Sequence, residues 1–175
     1  ILFYSKSFKG GQLRAILQVC VDVEERVGEI YQQLVNHPDA NEELREIWQE
    51  MADDEMRHAH RIRQVSDRLD MAGVIACGLS REGVQELLDR AGELLLDAQE
   101  GSLSIDEAIY ASVELEDAFL KTHIGFAESG NQPDLQTMFK ALAEADRVHT
   151  VRLKSYLNRM NDGDGLVFGN EGNLE

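Results

Sequence analysis

Trp48-Gln-Glu-Met51-Ala-Asp-Asp-Glu55-Met-Arg-His58-Ala-His-Arg-Ile62 breaks a pattern that its neighbours keep. Apolar residues recur in steps of four and three at Leu44, Trp48, Met51, Ile62, Val65 and Leu69. That alternation is the buried seam of a bundle helix. Carried through the middle of the stretch, the same count lands on Glu55 and His58. The two side chains share one helix face. An ionisable pair at i, i+3 therefore stands where hydrophobes belong. Glu-x-x-His pointing into a helical bundle is a metal-ligand arrangement. It also arises by chance on exposed helices, so the rest of the chain has to decide.

The 175 residues are enough for one domain with a sizeable core. Seventeen Lys and Arg against 33 Asp and Glu give a net charge of −16. That balance excludes nucleic acid and anionic membrane surfaces as partners, and it draws cations toward the chain. No apolar run approaches the roughly 20 residues that span a bilayer. Cys20 and Cys77 are isolated from each other and form no Cys-x-x-Cys. Neither a zinc ribbon nor a four-cysteine iron site can be built from them. A reducing, cytoplasmic setting is the expectation.

Residues 1–11 read as a loose lead-in. A first helix is predicted from about Gln12 to His37, with the seam Leu13, Leu17, Cys20, Glu24, Val27, Tyr31, Leu34. Pro38 stops it, and Asn41 caps a second helix running from Glu42 to about Met71. Gly73 and Gly78 break the pattern. Ser80 to Glu100 reads as a connecting helix whose apolar face has no ionisable interruption. It packs either on the outside of the bundle or against a second copy of the chain, and the latter reading predicts a homodimer. Ser104 and Glu107 form a capping box for the next helix, which runs to about Glu128. Its seam is Ile105, Ile109, Ser112, Glu116, Phe119, His123, Phe126. The last helix runs from about Pro133 to Met160, with the seam Leu135, Phe139, Leu142, Asp146, His149, Leu153, Tyr156, Met160. Residues 161–175, rich in Gly, Asn and Asp, read as a flexible tail.

Each long helix except the connector thus carries one acidic residue in mid-seam: Glu24, Glu55, Glu116 and Asp146. Two of them add a histidine three positions on, His58 and His149. The chain also repeats itself. Val-Asp-Val-Glu24-Glu resembles Val-Glu-Leu-Glu116-Asp, and Met-Ala-Asp-Asp-Glu55-Met-Arg-His58 resembles Leu-Ala-Glu-Ala-Asp146-Arg-Val-His149. Two helical hairpins related by a pseudo-two-fold axis bring all six side chains to one level. A single polar seam residue is explained as a specificity device; six are not. As a salt-bridge cluster, four carboxylates exceed the charge of two protonated histidines, and unpaired charge in a dry core costs several kcal/mol per ion. Two divalent cations balance four carboxylates with both histidines neutral. Mixed carboxylate and imidazole donors without thiolate suit iron or manganese, and zinc competes by affinity.

On these residues, from about 12 to 160, the chain resembles the ferritin-like superfamily of di-iron carboxylate proteins, and the rubrerythrin branch in particular. The resemblance implies an all-α fold, a four-helix bundle with one long crossover carrying the extra helix. It implies two iron ions held by Glu24, Glu55, His58, Glu116, Asp146 and His149, with carboxylates bridging the metals and each histidine on one of them. It also implies peroxide or dioxygen as substrate and an external electron donor. Asp146 stands where the family has Glu and is one methylene shorter. Val113 stands where rubrerythrins often carry a further carboxylate. The cysteine module that feeds electrons to rubrerythrins is missing from this sequence.

Tyr31 and His123 each follow a single seam carboxylate by two turns. Tyr31 is either core or a hydrogen-bond partner of a ligand. His123 is either a core histidine, a partner of a ligand or an extra ligand. His60 falls off the seam, His37 lies in a turn, and Glu25 is the neighbour that a one-residue error would substitute for Glu24. Three functions follow: a di-iron oxidoreductase, an iron-oxidising protein that handles or stores iron, and a helical module without catalysis.

Overall fold

A computed structural model of the chain describes residues 6–68, 74–77, 81–129 and 132–164. The described residues form five helices, α1 (Gly10–Leu34), α2 (Glu42–Arg68), α3 (Arg81–Glu100), α4 (Ile105–Ser129) and α5 (Pro133–Asp164). The helices α1 and α2 pack as one hairpin, α4 and α5 as another, and α2 and α5 touch between them. The all-α reading is correct for the body of the protein.

Local chemistry sets the helix ends. Asn41 Oδ1 accepts from Leu44 N–H at 2.9 Å, which satisfies one of the orphan donors of α2, and Glu42 and Glu43 sit in its positive first turn. Gly101, at φ +65°, closes α3: its N–H donates to Ala98 O and that of Ser102 to Asp97 O. The capping box at the start of α4 is present, with Glu107 N–H donating to Ser104 Oγ and Ser104 N–H to Glu107 Oε2. Pro133 takes the first position of α5, where its missing N–H costs nothing. The predicted cap Ser80 and the end of α2 at Met71 lie outside the described residues.

The seams read from the sequence are the buried faces. Leu13, Leu17, Cys20, Val27, Tyr31 and Leu34 of α1 are all buried, as are Leu44, Trp48, Met51 and Ile62 of α2. So are Ile109, Phe119 and Phe126 of α4, and Leu135, Phe139, Leu142, Leu153 and Tyr156 of α5. Trp48 binds the two hairpins together. Its indole N–H donates to Ser112 Oγ at 3.1 Å, and that hydroxyl donates on to Ala108 O, so no polar group is stranded. Exposed ion pairs stitch the helices outside: Arg152 with Glu50 and Arg159 with Glu43 between α5 and α2, Lys154 with Asp117 between α5 and α4.

Two expectations are corrected and one choice is narrowed. The lead-in is not loose throughout, because Lys6–Lys9 (β1) pairs antiparallel with Val74–Cys77 (β2), Lys6 opposite Cys77 and Lys9 opposite Val74. That ribbon joins segments distant in sequence, and neither segment alone carries enough alternation to announce a strand. The last helix does not stop at Met160 but continues to Asp164. Of the two readings of the connector, packing on the bundle is seen: α3 lies along α1 with Val84, Ala91 and Leu95 buried, while Leu87, Leu88 and Leu94 are partly buried.

Candidate metal centre

All six side chains picked from the seams reach one buried level, together with His123. Glu55, Glu116 and Asp146 are 0% exposed, and the most exposed of the seven, His58, is 7% exposed. Glu24, not Glu25, is the inward residue of α1; Glu25 points outward and pairs with Arg63 at 2.6 Å.

Two groups of donors form there, and Glu55 belongs to both. Glu24, Glu55 and His58 each offer an atom within 4.8 Å of the others, and so do Glu55, Glu116 and His149. The two oxygens of Glu55 face opposite ways. Oε2 lies 3.0 Å from His58 Nδ1, and Oε1 lies 3.6 Å from His149 Nδ1. His58 Nδ1 also lies 3.5 Å from Glu24 Oε2, and His149 Nδ1 lies 3.2 Å from Glu116 Oε2. One carboxylate between two histidine–carboxylate pairs is the arrangement of a bridging ligand.

Asp146 lies outside both groups. Its Oδ2 accepts from His123 Nδ1 at 2.7 Å, and the other ring nitrogen of His123 lies 3.1 Å from Glu24 Oε1. Tyr31 donates to Glu116 Oε1 at 2.6 Å. Sequence reasoning missed Asp54. Its Oδ2 lies 3.1 Å from His149 Nε2, which aims the ring so that Nδ1 faces the site. Asp54 is one position off the seam, and its partner is far away in the chain, so spacing within α2 gave no sign of it. His60 is exposed and bonds Gln64, and His37 bonds the Leu103 carbonyl, so neither joins the centre.

The electrostatics are those of a site short of positive charge. Burial, then the neighbouring Glu116 and Glu24 charges, pushes the Glu55 carboxyl well above its usual range. Burial also raises Glu116, against the hydrogen bond from His149. Burial alone would raise Glu24 too, but the hydrogen bond from His123 and the nearby His58 imidazole outweigh it and hold that carboxyl low. Burial works against the charged form of His58, yet Glu24 and Glu55 raise it to about 11. His123 is raised to about 9, with Asp146 and Glu24 overcoming burial. Tyr31 is pushed well above 10 by burial and by Glu116, and stays a neutral donor.

The donor set fits metal ions by its leftovers as well. Among the described residues, four buried side-chain oxygens or hydroxyls have no hydrogen-bond partner: Glu24 Oε2, Glu55 Oε1, Asp146 Oδ1 and Thr150 Oγ1. The first two belong to the donor groups. Unpartnered carboxylate oxygens in a dry core are costly unless a cation meets them.

In comparisons with known proteins, no family model matches this chain, and no curated protein or solved structure matches it. The buried Glu/His groups are what the chain offers toward a function, and they can hold metal ions.

Proposed function

We propose that this chain is a ferritin-like four-helix bundle, formed by α1, α2, α4 and α5 with α3 in the crossover, and that it is a non-haem di-iron protein reducing peroxide or dioxygen. The observation that carries the reading is Glu55, whose two oxygens address two separate histidine–carboxylate pairs. Glu24, Glu55 and His58 would hold one ion, and Glu55, Glu116 and His149 the other, with Asp146 beside them. Held there, two ferrous ions would supply the two electrons that peroxide reduction consumes, and an external electron donor would restore them.

The chain's own residues do the rest. Asp54 fixes the ring of His149 and Tyr31 fixes Glu116, so the ligands are set before a substrate arrives. Phe119 and Phe139 flank His123 and close the deep side to water. His58 and His149 are the least buried of the set, and Asp54 beside them is partly exposed, so a small substrate enters from this side. Tyr31 keeps its proton over the physiological range and serves as a donor, not a base.

Iron handling is the second reading, and the net charge of −16, which concentrates cations around the chain, is the observation in its favour. Anaerobic loading with Fe(II), followed by separate exposure to peroxide and to air, tests both. About two irons per chain with faster oxidation by peroxide supports the reductase. Faster oxidation by air supports iron handling. A folded, helical chain that binds no iron refutes both.

A further inference from the structure

Asp146, His123 and Glu24 form a line of three buried groups from three different helices. His123 Nδ1 is 2.7 Å from Asp146 Oδ2, and His123 Nε2 is 3.1 Å from Glu24 Oε1. Each ring nitrogen faces a carboxylate oxygen, so both are engaged within the protein, and His123 belongs to neither donor group. Phe119 stacks near the ring at 6.1 Å between centroids, Phe139 tilts against it at 5.5 Å, and Phe126 backs Phe139 at 4.1 Å. These aromatic rings pack against the imidazole in the core.

The consequences fall on the two carboxylates. Glu24 has one oxygen committed to His123, and its other oxygen, Oε2, is buried and unpartnered on the side of His58. Asp146 likewise has one oxygen on His123 and the other, Oδ1, buried and unpartnered, but it belongs to neither donor group. We propose that His123 is the positioning residue of the centre: anchored by Asp146, it restricts Glu24 to one ligating oxygen, Oε2, and keeps Asp146 out of the ligand set.

The donor set is then asymmetric, with Glu55 the one carboxylate common to both groups. Asp146 is partnered by His123, and three carboxylates, Glu24, Glu55 and Glu116, would face the ions. The shorter side chain of Asp146 is suited to this task. It reaches the α4 ring, with Oδ2 2.7 Å from His123 Nδ1.

This rests on the di-metal reading, so the test separates the two. The probe is Co(II), added anaerobically to the purified full chain, with stoichiometry and affinity from competition against a chromophoric chelator and coordination from the visible d–d bands. The wild type is expected to take two Co(II) per chain. His123→Phe keeps the ring shape but removes both donors; it should still bind two, with one site weakened about 10- to 100-fold and the bands of that site altered. His123→Gln keeps a donor where Nε2 stood, and should recover affinity to within a few-fold of wild type. Asp146→Asn should retain two Co(II). Far-UV circular dichroism checks that each variant is helical; where His123→Phe is not, His123→Gln and Asp146→Asn decide. Loss of one Co(II) in Asp146→Asn makes Asp146 a ligand and overturns the proposal. Unchanged affinity and bands in His123→Phe overturn it as well, as does a His123→Gln variant as weak as a donor-free site. A wild type that takes up no Co(II) overturns the di-metal reading and this proposal together.

Discussion

Tyr31 Oη donates to Glu116 Oε1 at 2.6 Å, across the interface between the two hairpins. The relationship has a counterpart. His123 reaches back to Glu24 Oε1 at 3.1 Å, so the residue two turns beyond each single carboxylate holds the single carboxylate of the opposite hairpin. The repeat seen in the sequence is therefore also a repeat of contacts within the core. Tyr31→Phe leaves the packing intact and strands Glu116 Oε1. A buried acceptor left unsatisfied costs about 1–3 kcal/mol, which urea denaturation of the metal-free protein would register as a lower midpoint at unchanged slope. A midpoint equal to wild type would mean that the hydrogen bond is absent in solution.

Metal binding is expected to release protons and to tighten as pH rises. Glu55 and Glu116 are raised by burial, and the carboxylates around His58 lift it to about 11, so the metal-free centre retains protons on groups that ligate only without them. A cation must displace those protons, and raising the pH removes the competition. Calorimetry in two buffers of different ionisation enthalpy counts the protons. Release of at least one proton per ion near neutral pH is expected, and pH-independent affinity would contradict the protonation pattern.

The metal-free protein should lose stability on the alkaline side. His58 is raised from 6.5 to about 11 and His123 from 6.5 to about 9 in the fold. Above 6.5 the folded state binds more protons than the unfolded one, so stability falls as pH rises. The contribution is complete below 6.5, is lost for His123 by about 9 and continues to be lost for His58 up to about 11. Glu24, held low, acts the other way and weakens the fold only as the pH drops below 4.5 toward its lowered value. Urea midpoints should therefore be lower at pH 10 than at pH 6.5. A flat profile between those values would show that neither histidine is charged in the fold.

The periodicity of four and three made most of this legible. Every seam position named on α1 is buried, and Glu24, Glu55, His58, Glu116, Asp146 and His149 all reach the core level. A helix face is a local property, and spacing alone reports it. Relations between faces are not local. Asp146 shares the level but not the donor groups, because a histidine on another helix holds it. Asp54 supports His149 from the neighbouring helix, and β1 finds β2 beyond two helices. None of these pairings leaves a trace in the spacing of either partner.

Asp54 gives the fourth prediction. Its carboxyl is held below the usual range, since the hydrogen bond and charge of His149, with Arg57, outweigh partial burial. Asp54→Asn should weaken the ion held by Glu55, Glu116 and His149 about 10- to 100-fold while sparing the other. A chelator-competition titration resolves the two sites. Equal weakening of both would mean that Asp54 acts through the general charge of the surface and not through His149.

Glu55 is the sharpest test of the centre as a pair. Its Oε2 faces His58 and its Oε1 faces His149, whereas Glu24 and Glu116 each serve one side only. Glu55→Gln removes the shared charge from both donor groups, and Glu24→Gln or Glu116→Gln removes it from one. Metal content after anaerobic loading should drop from about two ions to none or nearly none in the first variant, and to about one in each of the others, with helicity retained in all three. The apoprotein adds a second readout. Glu55 is the carboxyl that burial and its acidic neighbours raise most clearly, so its amide substitute should leave the metal-free fold as stable as wild type or more so. A variant that binds no metal yet is not destabilised separates a lost ligand from a lost fold. If Glu55→Gln instead keeps one ion, the two groups do not share it, and the centre is two independent sites.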